Sequence, residues 1–243
     1  MNKNITPYKY SKLSKKQQIT DMFDTISEEY DNLNRVISFG IDVKWRNKVV
    51  QIIQEHKPSN VLDIATGTGD LAINLIKTGA KKIVGLDISK GMLDIGRKKI
   101  KSKKLSEFIQ MVVGDSENLP FGDNSFDAIT VAFGVRNFEN LEKGLSEIHR
   151  VLKPNGILVI LETSVPKKTP FKQVYFAYTK FLLPLIGILF SKDKKAYGYL
   201  SNSAAKFPCG DALNNILRKI GFINVNDVPQ TFGVATIYEA TKK

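Results

Sequence analysis

The stretch from Val61 to Lys77 restricts what this chain can fold into more than any other. Val61, Leu62 and Ile64 form a short apolar, β-branched run broken by one acid, Asp63, and read as a buried strand. Gly67 and Gly69 then open a tight turn. Leu71, Leu75 and Ile76 follow at helical spacing on one side of the next segment. A strand, a glycine turn and a helix in that order form the ligand crevice of an α/β sheet.

The ligand is the next question. The spacing Gly67-x-Gly69-x-x-Ala72 fits the loose form of a dinucleotide fingerprint. Asp63 argues against a pyrophosphate, because a carboxylate at the strand end facing the turn repels phosphate charge and attracts a cation. S-adenosylmethionine carries a sulfonium and an ammonium and no phosphate. The two glycines let the backbone approach such a ligand where a Cβ would clash, and Asp70 adds a second acid beside the turn. The next strand, Lys82 to Leu86, ends in Asp87, about 20 residues beyond the turn, where an acid can accept both ribose hydroxyls. Asp115 and Ser116 follow a third run, Val112 to Gly114, and suit the adenine edge. Taken singly, Asp87 and Asp115 read equally as helix caps or turn residues. As an ordered set at three successive strand ends, they point to S-adenosylmethionine.

Repeated alternation of strand and helix predicts an α/β, Rossmann-like fold: a doubly wound, mostly parallel sheet of seven strands. The strands fall at Val61–Ile64, Lys82–Asp87, Phe108–Val113, Ala128–Ala132, Ile157–Glu162, Ile223–Val228 and Ala235–Ala240. Helices are expected at Ser14–Phe23, Ile41–His56, Gly91–Lys101, Leu141–Leu152 and Ile216–Gly221, with a turn at Lys153 to Gly156. The whole reads as a single domain, residues 1–243: a helical arm (1–57), a cofactor-binding core (58–165), a lid insertion (166–209) and a C-terminal helix with strands (210–243). Within the insertion, the apolar run from Phe181 to Phe190 is too short to span a bilayer and is interrupted by Pro184 and Gly187. It can line a pocket for a greasy substrate, rest on a bilayer surface, or pack as a buried lid helix.

Composition narrows the function classes. Hydrophobic residues make up 42%, which excludes a disordered or membrane-embedded chain. The single Cys209 excludes an internal disulfide and a cysteine zinc cluster, and His56 and His149 build no metal site by spacing, so no metal is expected. No apolar signal core follows Met1, which predicts a cytoplasmic location. The net charge of +12 calls for an anionic partner or surface, or marks a solvated basic face. The lysine pairs are not interleaved with aromatic residues as a base-stacking platform requires, so no nucleic acid is expected. Peripheral contact with anionic lipid remains a candidate.

Longer motifs add a resemblance. They are Tyr30-Asp31-x-x-Asn34, Ser38-x-Gly40 and Trp45-Arg46 in the arm, then Asp63-x-Ala-x-Gly-Thr-Gly-Asp70 and Asp87-Ile-Ser-x-Gly-Met-Leu93. Gly114-Asp115-Ser-Glu-x-Leu-Pro-Phe121, Phe133-Gly-Val-Arg136-Asn137, Arg150-Val-Leu-Lys-Pro154 and Tyr197-x-Tyr199-Leu200-x-x-Ser203 follow. Along nearly its whole length the chain resembles the UbiE/MenG/COQ5 family of quinone C-methyltransferases. The resemblance implies S-adenosylmethionine contacts from Thr68, Asp87, Asp115 and Ser116. With the turn and strand ends, the expected donor set is Asp63, Gly67, Thr68, Gly69, Asp87, Ile88, Asp115, Ser116 and Ala132. Some members carry Ser where this chain has Ala132, so a side-chain contact is lost there.

The implied reaction is methylation of a ring carbon of a reduced prenylated quinone, demethylmenaquinol first, with a ubiquinone-pathway or bifunctional role as the alternative. Deprotonating the quinol hydroxyl pushes charge onto the ring carbon. The protein must hold the reactants collinear, accept the proton and stabilise the phenolate. Arg136 suits the last task because its guanidinium stays charged, and Asn137 can orient the quinol. The alternative for Arg136 is a structural ion pair to a carboxylate such as Glu139. The base is either Asp31 or a water held by Arg136. Tyr30, Asn34, Phe133, Tyr197 and Tyr199 are expected around the substrate, with Glu162 near the pocket. His149 sits on an amphipathic helix remote from the strand ends and is not a candidate. A nucleic-acid methyltransferase lacks support, since no Asn/Asp-Pro-Pro-Tyr motif is present and Cys209 stands alone. A non-catalytic binder would not need all of Asp63, Gly67, Gly69, Asp87 and Asp115.

Overall fold

The computed structural model describes residues 5–183 and 194–243, with side chains from residue 198 onward in the second stretch. Seven strands form one sheet in the order β3-β2-β1-β4-β5-β7-β6. They are β1 (Asn60–Ile64), β2 (Lys82–Asp87), β3 (Ile109–Val113), β4 (Phe126–Ala132), β5 (Leu152–Thr163), β6 (Phe222–Gln230) and β7 (Ala235–Lys242). The first five run parallel. β7 lies antiparallel between β5 and β6. The reversal at β7 follows from its short link to β6, which has no room for a crossover helix. β1 sits centrally, with β2 and β3 on one side and β4 on the other, so the chain changes direction at β1. That switch point is where such sheets hold ligands, beyond the carboxyl ends of the strands.

β1, β2 and β5 are near-continuous apolar runs because helices cover both faces of a parallel sheet. One core layer packs Leu62, Ile64, Ile129, Val131, Leu158 and Ile160 against Leu145, Ile148, Leu213 and Leu217 of α6 (Leu141–Val151) and α9 (Asp211–Ile220). The other packs Val61, Ile83, Ala128 and Val159 against Val49, Val50 and Ile53 of α3 (Ile41–Glu55) and Leu71 and Leu75 of α4 (Asp70–Asn74) and its continuation. The expected turn at Lys153 to Gly156 is the irregular start of β5, where pairing with β4 skips from Phe126–Leu152 to Ala128–Ile157 and Asn155 adopts φ 61°.

The N-terminal arm holds three helices: α1 (Lys15–Ile26), α2 (Tyr30–Ser38) and α3. α2 is a separate helix that the apolar periodicity did not single out. α1 opens on a capping box in which Ser14 and Gln17 satisfy each other's exposed amides. Its Ile19, Met22 and Ile26 pack on Met92 and Tyr199. Asp24 fixes it to the start of α5 (Lys90–Ser102) by accepting hydrogen bonds from Ser89 Oγ (2.5 Å) and Gly91 N (2.9 Å). α7 (Phe171–Ala177), a π-helical turn (Tyr178–Leu182) and α8 (Lys194–Lys206) belong to the insertion. Residues 184–190 of the apolar run lie outside the described residues.

Candidate active site

The glycine turn is built as its sequence dictates. Gly67 and Gly69 take φ of 57° and 81°, conformations that cost an L side chain strain. Beneath the turn lies Asp63, 1% exposed, accepting hydrogen bonds from Thr66 Oγ1 (2.6 Å) and Thr130 Oγ1 (2.7 Å). Burial pushes its carboxyl up to about 6, with the two hydroxyls and the Arg46 charge pulling the other way. This corrects the expectation that Asp63 faces a cationic ligand: both of its oxygens are used inside the protein, and it braces β1 to β4. Asp87, at the end of β2, accepts from Gly67 N (2.8 Å) and Ser89 N (2.9 Å), and so ties the turn to β2. Burial raises its pKa against those bonds. Its carboxylate also borders open space, with acceptor capacity left for a hydroxyl.

That space is a solvent-open cleft of about 710 Å³ beyond β1, β2 and β4. Gly67, Asp87, Ile88, Asp115, Ser116 and Ala132 line it. Thr68 and Gly69 do not. Thr68 donates to Asp31 Oδ1 (2.6 Å) and accepts from Lys99 Nζ (2.9 Å), and Gly69 caps α4. Ile19, Phe23, Leu86 and Met92 add apolar walls. Asp115 accepts from Glu117 N (2.9 Å) and pairs with Lys16 of α1 at 2.6 Å, so α1 lies across the cleft. Burial is the largest single influence and would raise the Asp115 pKa, but the Lys16 bond, the Glu117 amide and the Lys16 and Lys143 charges together hold the carboxyl below its ordinary value. Two acids, hydroxyl and backbone partners and a greasy slot fit a nucleoside carrying a cationic amino-acid tail better than a pyrophosphate.

A second, largely apolar cavity of about 950 Å³ adjoins the first. Tyr30 and Phe133 border both cavities and form the wall between them. Phe133 holds φ 59° at the end of β4, against the Trp45 ring (6.2 Å between centroids) and under the Arg46 guanidinium (5.4 Å). Asn34 lines this cavity as expected, and so do Arg46, Thr163, Tyr175 and Tyr178. Tyr178 donates to Ile37 O (2.6 Å), fastening the insertion to α2, and burial pushes its hydroxyl up to about 12.

Arg136 borders the second cavity. Its Nη1 donates to Glu162 in a direct buried ion pair and to Phe133 O (2.8 Å). Its Nε is buried with no hydrogen-bond partner. Burial disfavours its charge, but Glu162 more than compensates and raises the pKa. The partner is thus Glu162 rather than Glu139, whose Oε1 accepts from Lys15 N (3.1 Å). Asn137 borders the first cleft and accepts from Tyr199 Oη (3.1 Å). Tyr199 is packed on α1 and touches the cavities only through Asn137, because its ring fills the core under Ile19 and Met22. Tyr197 lies in α8, and its side chain falls outside the described residues. Asp31 faces neither large cavity. It pairs directly with Lys99 and accepts from Thr68, at the edge of a small polar recess shared with Arg35, Asp42, Arg46 and Asp70.

His149 packs edge-on against Phe222 (4.9 Å), away from both cavities, and His56 caps α3. Sequence reasoning missed Lys16, Tyr175 and Tyr178. Nothing local distinguishes Lys16 from other exposed lysines. The tyrosines' spacing, three apart on a helix, was a usable signal.

A sequence profile of the ubiE/COQ5 methyltransferase family matches residues 11–242. The chain belongs to this family. It is 46% identical over 229 residues to a demethylmenaquinone methyltransferase of Bacteroides fragilis, covering 94% of each chain. It is 44% identical over 234 residues to a ubiquinone/menaquinone biosynthesis C-methyltransferase UbiE of Geotalea uraniireducens, covering 95% of this chain and 99% of that one. Among solved structures, a SAM-dependent methyltransferase from Aquifex aeolicus superposes with a TM-score of 0.57 at 19% identity, covering 82% of this chain and 89% of that one. The [4+2]-cyclase SpnF superposes with a TM-score of 0.66 at 17% identity, covering 93% and 96%. These two similarities show the fold, and SpnF shows that the fold serves other chemistry too. A methyltransferase brings a methyl donor and an acceptor together, and two cavities adjoin here.

Proposed function

We propose that this family member transfers a methyl group from S-adenosylmethionine to a ring carbon of a reduced prenylated quinone, demethylmenaquinol. The carrying observation is the pair of cavities meeting at Tyr30 and Phe133, with Arg136 on the acceptor side. When bound, the donor supplies an electrophilic methyl carbon on sulfur. Asp87 suits the ribose hydroxyls, Asp115 and Ser116 the adenine edge, and the Gly67 turn the amino-acid end. The apolar walls of Trp45, Phe133, Tyr175 and Leu200 suit a naphthalene ring and the start of its tail.

Arg136 stabilises the phenolate. Glu162 and the Phe133 carbonyl hold its Nη1, which fixes the guanidinium where it borders the cavity. A fixed cation in a dry pocket lowers the phenol's pKa without being able to accept the proton itself. The proton passes to water beside Arg136; Asp31 is already committed to Lys99 and Thr68. The ring carbon then takes the methyl carbon, S-adenosylhomocysteine leaves, and the carbon loses its hydrogen as a proton to restore aromaticity. Asn137, held by Tyr199, borders the donor cleft and suits a contact there rather than to the ring edge.

The quinol's long tail places the reaction at a membrane. Among the described residues, no helix is long and apolar enough to cross one; peripheral contact is part of the same proposal. Comparing kcat/KM for short-chain demethylmenaquinol and for the matching benzoquinol tests the substrate assignment. Preference for the naphthoquinol supports it. Preference for the benzoquinol moves the protein to the ubiquinone-type reaction.

A further inference from the structure

Residues 167–182 form the most unusual surface of the molecule. They contain no acid and four exposed lysines: Lys167, Lys168, Lys172 and Lys180. They also expose large apolar side chains. Val174 is 63% and Phe181 64% exposed, and Phe171, Phe176 and Leu182 are exposed beside them. Two further phenylalanines from distant parts of the chain join the patch. Phe232, 68% exposed, stacks on Phe171 with centroids 3.8 Å apart, and Phe39 leans on Tyr178 at 6.1 Å. An apolar group of this size, rimmed by one sign of charge, marks an interaction site rather than ordinary surface.

The helical repeat connects this patch to the acceptor cavity. Phe171 and Val174, three apart in α7, share one exposed stripe, and Phe181 is exposed within the π-helical turn that follows. Tyr175, Tyr178, Thr179 and Leu183, interleaved with them along the chain, line the cavity. The same turns therefore wall the acceptor site on one side and expose the patch on the other.

We propose that this face docks on a bilayer carrying anionic headgroups. In that pose Val174, Phe181 and Phe232 enter the acyl boundary while the four lysines meet the headgroups. The acceptor cavity then opens at the membrane surface, so a quinol ring can enter it while the prenyl tail stays in lipid. The role in substrate entry rests on the function proposed above; the docking itself does not. Charge complementarity favours lipid over a second copy of the chain, since two such faces would set their lysines against each other.

The test is co-sedimentation of the full-length protein with vesicles of equal parts phosphatidylcholine and phosphatidylglycerol, and with vesicles of phosphatidylcholine alone. The variants are V174S/F181S and K172Q/K180Q, whose residues are exposed and do not line either cavity. The wild type should bind the anionic vesicles, weaken as salt rises, and bind neutral vesicles poorly. V174S/F181S should lose about tenfold or more in vesicle affinity through lost apolar burial. K172Q/K180Q should lose roughly tenfold on anionic vesicles only. Both variants should keep wild-type melting temperatures and wild-type turnover of a short-chain, water-soluble quinol. Wild-type vesicle binding by both variants, or wild-type binding indifferent to lipid charge, overturns the proposal. So does a wild-type dimer in sedimentation velocity that V174S/F181S converts to monomer with vesicle binding unchanged. Absent vesicle binding with intact quinol methylation removes the docking claim alone. Vesicle binding without quinol methylation removes the functional assignment alone.

Discussion

Arg136 and Glu162 form an ion pair with side chains 8% and 0% exposed, at the ends of β4 and β5 where the acceptor cavity meets the sheet. Glu162 fixes one end of the guanidinium and also accepts from Thr163 N (2.7 Å), while Nε stays without a partner. A buried pair contributes little net stability compared with apolar packing, but removing one member leaves an uncompensated charge at a cost of about 3–5 kcal/mol. The place of Arg136 in the wall of this cavity favours a catalytic role.

Arg136→Lys should therefore fold, because it retains the charge opposite Glu162. It should lose turnover by about 10²–10³ from misplacement of the donor group, with donor affinity unchanged by calorimetry. Normal turnover in this variant would remove Arg136 from the phenolate role.

Asp31→Asn should leave the pH profile of kcat as it is and lower stability by about 1 kcal/mol, the scale of a partly exposed ion pair. Chemical denaturation and a pH–rate series together check this. A loss of about 10²–10⁴ in kcat with disappearance of the acid limb would make Asp31 the general base after all.

Asp63 gives a pH effect of known sign. Its carboxyl is raised from 3.8 to about 6 in the folded protein. In that window the folded state holds a proton the unfolded state has released, so its contribution to stability is greatest below about 3.8 and declines as pH rises through about 6. Asp63→Asn keeps a partner for both threonine hydroxyls and removes the buried charge. The variant's gain over wild type should be absent in acid and grow to about 1–3 kcal/mol by neutral pH. Subtracting the two melting curves at each pH cancels the other carboxylates. A gain that does not change with pH would show Asp63 titrating normally.

Phe133→Ala should open the wall between the cavities and cost about 1–3 kcal/mol in lost packing against Trp45, less than a core Phe because Phe133 is half-buried between the cavities. Tyr30→Phe keeps the wall while removing a hydroxyl. If the wall sets the approach of donor and acceptor, Tyr30→Phe should keep kcat within a few-fold, while Phe133→Leu should reduce kcat more than it raises KM for the quinol. Equal losses from both would point to a polar role for Tyr30.

The sheet, the glycine turn and the strand-end acids were legible in the sequence because each depends on neighbours in the chain. The apolar runs that cross the sheet announce buried parallel strands, and Gly67 and Gly69 announce positive φ. What remained hidden depends on distant partners. Asp63 reads as a ligand contact until Thr130 is seen to cap it from another strand. Glu139 and Glu162 are equally plausible partners for Arg136 until β4 and β5 are placed side by side. Lys16 reaches Asp115 only because Asp24 pins α1 against Ser89 and Gly91. The helix Tyr30–Ser38 was missed because its apolar positions face a cavity and exposed surface as much as a core; only Leu33 is buried.

The proposed mechanism requires a phenolate, not a quinone, to accept the methyl. The most direct test is mass spectrometry of short-chain demethylmenaquinone after incubation with the protein and methyl-labelled S-adenosylmethionine, run in parallel with and without a chemical reductant. Label on the ring only in the reduced sample, lost with Arg136→Lys, is the predicted result. Equal label in the oxidised sample, or label on oxygen rather than carbon, would contradict it.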